Sequence, residues 1–282
     1  MKQRILLAIH PTRAEARSAA EELIATSHDG LSFFSVQEIA GAERIKPSQV
    51  KEAVDLVVVF GGDGTILRAA ETVRGYEIPI LGINLGHVGF LAQVKRPSIQ
   101  EIAALIATRK YSIESRLLVQ YQIIRGPETV DTGFALNEVV IESPKPEMVE
   151  LFVHIDGRPL SYWGCDGVLV ATPTGSTAYA ISAGGPVVWP SVDAMVLLPL
   201  AAHALFSRPM VVATTSSITV EVESEVAVLA ADGFRRIDLK RNDRIQLGAA
   251  SDRIQLAHID DALFTDRLVA KFKLPVEGWR GV

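Results

Sequence analysis

The sequence predicts a parallel α/β domain followed by a β-rich domain, and a change of pattern near residue 110 carries this prediction. Before this point, short apolar runs of strand length alternate with helix-forming segments. The runs at 5–9 and 56–60 are apolar throughout, which is typical of parallel strands covered on both faces. After this point, segments such as 217–222 alternate apolar and polar residues and long helical periodicity is scarce, which favours a β-sandwich.

The α/β domain is assigned to residues 1–112. Its predicted strands are 5–9, 32–36, 56–60 and 78–83, and its predicted helices are 12–26, 66–73 and 98–108. The first helix is rich in Ala, Glu, Arg and Leu, which are helix formers. Ser98 follows Pro97 and is expected to cap the last helix.

The β-sandwich domain is assigned to residues 113–258. Its predicted strands are 117–124, 134–141, 151–155, 168–171, 217–222, 244–247 and 253–256. Asp156 and Gly157, directly after one of these strands, form a strong hairpin-turn signal. Residues 262–282 show no strand pattern, and we expect the C-terminal segment 259–282 to return to the first domain. The boundary has no linker composition, so we expect the two domains to pack together.

Composition excludes several classes of protein. The 282 residues include 28 Lys and Arg against 33 Asp and Glu, and the net charge of −5 argues against a nucleic-acid-binding surface over the whole protein. Cys165 is the only cysteine, which excludes an intrachain disulfide and a zinc site of several thiolates. The apolar stretch 192–206 is interrupted by Asp193, Pro199 and His203, and no signal peptide is visible. We therefore expect a soluble, cytoplasmic protein with no membrane partner.

The sharpest local signal is the run Gly-Gly-Asp-Gly-Thr at 61–65. It follows the predicted strand 56–60 and opens the predicted helix 66–73. Glycines allow a tight turn and a close approach to a ligand, and amides at a helix start bind anions, most often phosphate. No Lys-Ser or Lys-Thr pair follows the glycines, so this is not a Walker loop.

Asp63 places a carboxylate in the middle of this phosphate loop. A carboxylate repels phosphate, so its presence needs a reason. It could hold a divalent metal, or it could accept a proton from a hydroxyl that attacks phosphorus. The alternative is that Asp63 only caps the helix.

A second loop, 84–91, follows the predicted strand 78–83. Ligands of open α/β sheets bind at the carboxyl ends of strands, where this loop lies. His87 is a candidate ligand contact, although a lone loop histidine is often solvated or structural. The other histidines, at 10, 28, 154, 203 and 258, form no metal-spaced pair, and no side chain is assigned as a metal ligand.

A third signal follows Asp166 and the predicted strand 168–171. Hydroxyl groups occur at 172, 174, 176, 177, 179 and 182, a density too high for simple β packing. Such groups suit hydrogen bonds to bases and riboses, and Tyr179 could stack on an aromatic base. The alternative is a polar loop that caps a helix beginning near Thr177.

Asn137 and Glu138 interrupt the otherwise apolar strand predicted at 134–141. Adjacent strand residues point to opposite faces, so one of the two would be buried without a partner unless a ligand or a loop satisfies it. The alternative for Glu138 is a solvated strand face.

Together these motifs resemble the NAD kinase family in order and spacing over nearly the whole chain. The segments that match are 61–65, 84–91, 137–138, 166–167, 172–182 and 184–186, and the run from 264–268 to 279–280 is similar to actinobacterial members. The first motif is shared with diacylglycerol kinases and phosphofructokinases, whereas the motif at 172–182 is far more specific to NAD kinases.

The resemblance implies a kinase that phosphorylates the 2′-hydroxyl of the adenosine ribose of NAD to give NADP. The donor would be ATP or polyphosphate, with a divalent cation, Mg²⁺, as cofactor. The family fold is a Rossmann-like α/β domain plus a β-sandwich domain with NAD between them. The resemblance, together with the apolar character of 192–206, also implies a homodimer or homotetramer.

The resemblance also assigns site residues. Asp63 matches the proton acceptor, with Gly64 and Arg68 beside it. The assigned nucleotide contacts are Asn137, Glu138, Asp166, Thr177, Ala178, Tyr179, Ala180, Ile181 and Ser182. Two positions depart from other members, some of which have Arg where this chain has Gly164 and Gln where it has Phe234, beside Asp232-Gly233.

Two other functions compete with this assignment. A lipid or sphingoid kinase could use the same phosphate loop, but it would need an apolar substrate groove, and the polar residues of 172–182 fit a nucleoside better. A non-catalytic NAD(P)-binding regulator on this scaffold is expected to lack Asp63, which is present. The sequence leaves open the choice between ATP and polyphosphate, the acceptance of NADH and the preferred metal.

Overall fold

A computed structural model describes residues 2–26, 30–86, 89–92 and 97–276. The chain forms two compact units. The first comprises Met1–Ser115 together with Ile254–Val282, and the second comprises Arg116–Arg253. None of the described helices has the length and apolar character needed to cross a membrane.

The first unit is a parallel sheet with helices. Its elements are β1 (Gln3–Ile9), α1 (Ala14–Thr26), β2 (Leu31–Ser35), β3 (Glu43–Arg44), α2 (Val50–Ala53), β4 (Leu56–Phe60), α3 (Asp63–Val73), β5 (Ile80–Ile83) and α4 (Ile99–Ala107). The strands lie in the order β3-β2-β1-β4-β5, and every neighbour is parallel. All five residues of β4 are buried, as its composition predicts for a strand covered on both faces.

The second unit contains the remaining strands. They are β6 (Ser112–Arg125), which begins in the first unit, β7 (Glu128–Ala135), β8 (Glu138–Glu142), β9 (Val149–Ile155), β10 (Arg158–Cys165), β11 (Gly167–Ala171), β12 (Ala194–Leu200), β13 (Met210–Ala213), β14 (Ile218–Val222), β15 (Val226–Ala231), β16 (Arg235–Lys240) and β17 (Arg244–His258). Between β11 and β12 lies the short helix α5 (Tyr179–Ser182).

These strands form two layers around one core. One antiparallel sheet has the order β13-β12-β11-β8-β15-β16, and the other contains β10-β9-β14-β17 with the β6–β7 pair. Residues of both layers share a core cluster in which Trp163 is fully buried. The predicted fold class, an α/β domain and a β-sandwich, is confirmed.

The C-terminal part of the chain belongs to the first unit. The end of β17 pairs in parallel with β5 (Leu256 with Ile80), and helix α6 (Phe264–Phe272) follows. The sequence does not predict helix α6. It also predicts two strands, 244–247 and 253–256, where the structure has the single strand β17. Residues 279–280, which carry part of the family resemblance, lie outside the described ranges.

Local turn and cap signals are confirmed. Asp156 and Gly157 both have positive φ (52° and 71°) and connect β9 to β10. The Ser98 hydroxyl accepts the amide of Glu101, whose carboxylate accepts the Ser98 amide in return, so Ser98 caps α4.

The strand predicted at 134–141 is wrong. Strand β7 ends at Ala135 and β8 begins at Glu138, so residues 136 and 137 form a turn between two strands. Helix α3 also begins earlier than predicted, at Asp63 rather than near Ile66, because Gly62 already occupies the N-cap position.

Candidate active site

The glycine-rich loop of the first unit makes a tight turn from β4 into α3. The Gly61 amide donates to the carbonyl of Ile83 at 3.1 Å, and the Gly62 carbonyl accepts the amides of Thr65 and Ile66. A Cβ atom at Gly61 would lie 2.4 Å from the hydroxyl oxygen of Thr65, so a side chain there is excluded. The turn thus leaves the first amides of α3 at the carboxyl end of a parallel strand, where anions bind.

Asp63 is the first residue of α3, but its carboxylate does not cap the helix. Its Oδ2 atom accepts the amide of Phe90 at 3.0 Å, and its Oδ1 atom accepts the amide of Leu91 at 3.2 Å. The interpretation of Asp63 as a simple helix cap is therefore wrong. The two bonds connect the phosphate loop to the second predicted loop and fix the direction of the carboxylate.

Gly89 shows how closely this second loop approaches Asp63. A Cβ atom at position 89 would lie 2.2 Å from Oδ1 of Asp63, so only glycine fits. His87 lies outside the described residues, and its predicted ligand contact stays a prediction.

In the second unit, a network of hydrogen bonds holds the turn between β7 and β8. The Asp232 carboxylate accepts the amides of Leu136 and Asn137 at 2.9 and 2.7 Å. The Thr172 hydroxyl donates to the Leu136 carbonyl at 2.5 Å, and the Thr172 amide donates to the Asn137 carbonyl at 2.9 Å. These four bonds satisfy the backbone of the turn and replace strand pairing, which is why the predicted strand breaks here.

Asp232 is a buried residue to which the sequence assigned no role. It occupies the tight turn between β15 and β16 with a φ of 50°, followed by Gly233 at 74°. Arg235 donates to its Oδ2 atom at 2.9 Å. Burial is the main reason why the pKa of Asp232 is raised. The Asp-Gly pair between two strand-like segments signals this turn, but no local pattern shows where the carboxylate points.

Glu138, the first residue of β8, is buried and incompletely paired. Only 7% of the residue is exposed, so the interpretation as a solvated face is wrong. Its Oε2 atom has no hydrogen-bond partner within the described residues. Burial, and then the neighbouring charge of Asp232, raises the pKa of Glu138 to about 8, and the backbone amide of Tyr179 partly offsets this. The Glu138 carboxyl therefore suits a ligand with a polar group that can form a hydrogen bond to Oε2.

Several hydroxyl groups of the Thr/Gly/Ser/Tyr motif build the loop itself. The Thr172 hydroxyl also accepts the Gly175 amide, and the Ser176 hydroxyl donates to the Pro173 carbonyl and accepts the Val188 amide. Because both hydroxyls donate to and accept from the protein backbone, Thr172 towards Leu136 and Ser176 within its own loop, the prediction that they face a nucleotide is wrong. The Thr177 hydroxyl donates to the Thr174 carbonyl at 3.2 Å.

Tyr179 is exposed and lies among acidic groups. Its side chain is 44% exposed, at the start of α5. Burial raises the pKa of its phenol, and the charges of Glu142, Asp166 and Glu138 raise it further. The second unit therefore brings together three predicted site residues, 138, 166 and 179.

The other predicted residues differ in accessibility. Gly64, Arg68, Asp166 and Ser182 are exposed, Asn137, Thr177, Ala178 and Ile181 are partly buried, and Ala180 is buried. Ala180 is the buried residue of α5 and packs in a hydrophobic core cluster, so its side chain serves the fold. Gly164 contributes no charge, and the ring of Phe234 lies 5.0 Å from the Arg235 guanidinium.

Comparisons with protein-family models and with individual proteins identify the same family in both parts of the chain. A family model described as the ATP-NAD kinase N-terminal domain matches residues 8–111, and one described as the ATP-NAD kinase C-terminal domain matches residues 136–259. The NAD kinase of Thermobifida fusca is 47% identical over 252 residues, with 84% of this chain and 77% of the relative covered. The NAD kinase of Mycobacterium tuberculosis is 41% identical over 300 residues, with 98% of each chain covered.

Solved structures show the same fold. An NAD kinase from Archaeoglobus fulgidus in complex with ATP matches with a TM-score of 0.75 and 27% identity, covering 96% of this chain and 99% of that one. Yeast NADH kinase complexed with NADH matches with a TM-score of 0.87 over 97% of this chain and 87% of that one. At 24% identity, this second likeness concerns the fold alone.

The buried carboxyl of Glu138 predicts a loss of stability with rising pH. With its pKa at about 8 in the folded protein against an ordinary 4.5, it keeps a proton that the unfolded chain releases between these values. The contribution of Glu138 to the free energy of unfolding is therefore fully present below about pH 4.5 and is lost as pH rises through 8. We expect the advantage of Glu138→Gln over the parent in unfolding free energy to grow by up to about 1.4 kcal/mol per pH unit between pH 5 and 8.

Urea denaturation at pH 5, 7 and 9 measures this difference. Glu142→Gln, at a partly exposed carboxylate paired with Arg236, is the matched control and should follow the parent. Parallel curves for the parent and Glu138→Gln would show that Glu138 is charged in the folded protein throughout.

Proposed function

The chain belongs to the NAD kinase family, and we propose that it transfers a phosphoryl group from ATP to the 2′-hydroxyl of the adenosine ribose of NAD. The observation that carries this proposal is the Asp63 carboxylate, held by two backbone amides at the start of a helix that follows a glycine-rich turn. A lipid or sphingoid kinase finds no support, because both halves of the chain match NAD kinases.

The proposed mechanism depends on positioning and charge. Phosphoryl transfer requires little covalent chemistry from the protein, and alignment and electrostatics dominate. The open amides at the start of α3 suit the phosphates of the donor. Each Asp63 oxygen accepts one amide and keeps a further lone pair. We propose that one of these lone pairs orients the ribose hydroxyl and accepts its proton.

A divalent cation fits this chemistry as part of the donor. The described residues contain no group of three or more His, Cys, Asp or Glu side chains that could hold a metal ion. We propose that Mg²⁺ would be held by the phosphates of ATP, with direct ligation by the Asp63 carboxylate as the alternative role of that residue. When bound, the cation neutralises phosphate charge during transfer.

We propose that the second unit holds the adenosine half of NAD. The exposed ring of Tyr179 suits stacking on adenine, and Asn137 has its backbone fixed by Asp232 and Thr172. The adjacent Glu138 offers its Oε2 atom, which has no partner in the described part of the chain. Asp166 and residues 177–182 complete the proposed contacts.

The donor and the reduced substrate are separate questions. ATP is supported by the Archaeoglobus relative that was solved with it, whereas polyphosphate is a second candidate donor. Profiling the purified protein with ATP, polyphosphate, NAD and NADH decides both questions. We place the reaction in the cytoplasm, where NAD and ATP are available.

Asp63→Asn tests the proton acceptor. The variant keeps the shape and an acceptor oxygen but loses the charge, and we expect turnover to fall by roughly 10²- to 10⁴-fold, the usual range for a general base, while NAD still binds. An assay that couples product to an NADP-specific dehydrogenase measures turnover, and calorimetry measures NAD binding.

Asp156→Asn, in the hairpin turn after β9, is the control and should keep full turnover. Partial rescue of Asp63→Asn by excess Mg²⁺ or Mn²⁺ would assign Asp63 to metal ligation instead. Near-parental turnover would remove both roles.

Tyr179→Ala and Asn137→Ala test the nucleotide site. Loss of one stacking or hydrogen-bond contact costs roughly 1–3 kcal/mol, so we expect the Michaelis constant for NAD to rise about 5- to 150-fold with little change in turnover. Tyr162→Ala, at an exposed tyrosine of β10, is the control. The proposed site is wrong if both variants bind NAD as tightly as the parent.

We also propose a homodimer or homotetramer. Part of the motivating apolar stretch is explained otherwise, because β12 is buried at every position. Leu205 and Phe206, however, are exposed. We expect Phe206→Ser to lower the mass measured by light scattering at micromolar concentration, whereas Val130→Ser, at an exposed residue of β7, should not. A monomeric mass for the parent contradicts the proposal.

A further inference from the structure

Helix α6 carries a buried arginine that contacts the loop next to Asp63. The Arg267 residue is only 3% exposed, and its Nη1 atom donates to the Ala92 carbonyl at 2.5 Å. Its Nη2 atom lies 3.1 Å from Nδ1 of His258 and 3.4 Å from Oδ1 of Asp260. All four residues belong to the first unit.

Two aromatic contacts bind the same loop to the same helix. The ring of Phe90 lies 5.9 Å from that of Phe264 and 5.7 Å from that of Phe272, measured between centroids. Helix α6 therefore contacts the segment 89–92 through its first residue, its last residue and Arg267.

This segment provides the two amides that hold Asp63. The Phe90 and Leu91 amides donate to its two oxygens, and Ala92 follows directly. A shift of the Ala92 carbonyl would move both donors, because one peptide unit separates it from the Leu91 amide and two separate it from the Phe90 amide. We propose that Arg267 is a positioning residue that fixes the direction of the Asp63 carboxylate through the segment 89–92. This inference rests on the proposed role of Asp63 as proton acceptor.

The surroundings of Arg267 explain why arginine is required. Nε2 of His258 lies 3.0 Å from a Glu114 carboxylate oxygen. Nε2 therefore carries the ring proton and donates a hydrogen bond to Glu114, and Nδ1 accepts one from Arg267. The guanidinium thus directs separate N–H groups at a carbonyl, a ring nitrogen and a carboxylate. Lysine has no such planar fork. Residue 267 itself lies outside both ranges that the family models match.

Kinetics and amide exchange together test this role. In Arg267→Gln we expect turnover to fall about 10- to 100-fold, since small displacements of a catalytic group have effects of this size. The Michaelis constants for NAD and ATP should stay within about twofold, because the contact acts on the reacting step alone. Hydrogen exchange at the Phe90 and Leu91 amides should accelerate, while the amide of Val58 in β4 stays protected. Arg267→Lys should restore only part of the turnover.

Arg125→Gln is the matched control. Arg125 forms a two-pronged ion pair with the buried Asp243 in the second unit, so its loss should lower stability without changing turnover. If Arg267→Gln does not fold, Phe272→Leu weakens the same attachment more gently, and we expect faster exchange at Phe90 with a fall in turnover of about threefold or more.

The outcomes separate this inference from the proposed function. Parental turnover in Arg267→Gln, or unchanged exchange at Phe90 and Leu91, overturns the positioning role. So does a loss of turnover that occurs only together with faster exchange in β4. Parental turnover in Asp63→Asn, by contrast, overturns the proposed function, whatever exchange the Arg267 variant shows.

Discussion

Two backbone amides on the Asp63 carboxylate organise the functional part of the first unit. Because Phe90 and Leu91 donate to its oxygens, the carboxylate does not turn back to the amides of its own helix. The first turn of α3 therefore remains open to an anion. The same bonds bring the loop so close that position 89 excludes a side chain. One interaction thus explains the glycine in the neighbouring loop and the need for an attachment behind that loop.

The second unit contains the same kind of interaction, a carboxylate bound by backbone amides, with a different structural role. The Asp232 carboxylate also accepts two consecutive amides, those of Leu136 and Asn137, but it is buried and paired with Arg235. It serves to break a strand and to hold Asn137 at a turn. Thr172 supplies the complementary donors. In both units a carboxylate fixes the backbone of a segment that is distant in the sequence. Without these hydrogen bonds, a flexible loop would not hold this conformation on its own.

The sequence predicts the fold class and many of the strands because hydrophobic period and turn residues are local signals, but it gives no strand for β10, β12, β13, β15 or β16. The buried strand β4 and the hairpin at Asp156 and Gly157 are examples of such signals. It does not predict the break at 136–137, because the carboxylate responsible lies 95 residues from Asn137. The same reason limits the candidate site. Asp63, Glu138 and Tyr179 stand out by type and position, but no local pattern distinguishes a hydroxyl that faces a ligand from one that, like Ser176, closes its own loop.

The two acidic residues of the proposed site, Asp63 and Glu138, differ in how the protein pairs their carboxyl oxygens. Both oxygens of Asp63 have backbone donors, so its position is set before a ligand arrives. Glu138 is buried near Asp232, and among the residues that the structure describes its Oε2 atom has no hydrogen-bond partner. A buried polar atom without a partner costs about 1–3 kcal/mol. A ligand that donates a hydrogen bond to Oε2 removes this cost. Part of the ligand's binding free energy therefore comes from removing an unfavourable free energy that the unliganded protein carries at this atom. The stability lost at Glu138 and the affinity gained there have the same physical origin, and for this reason a residue that weakens the fold can remain at a binding site.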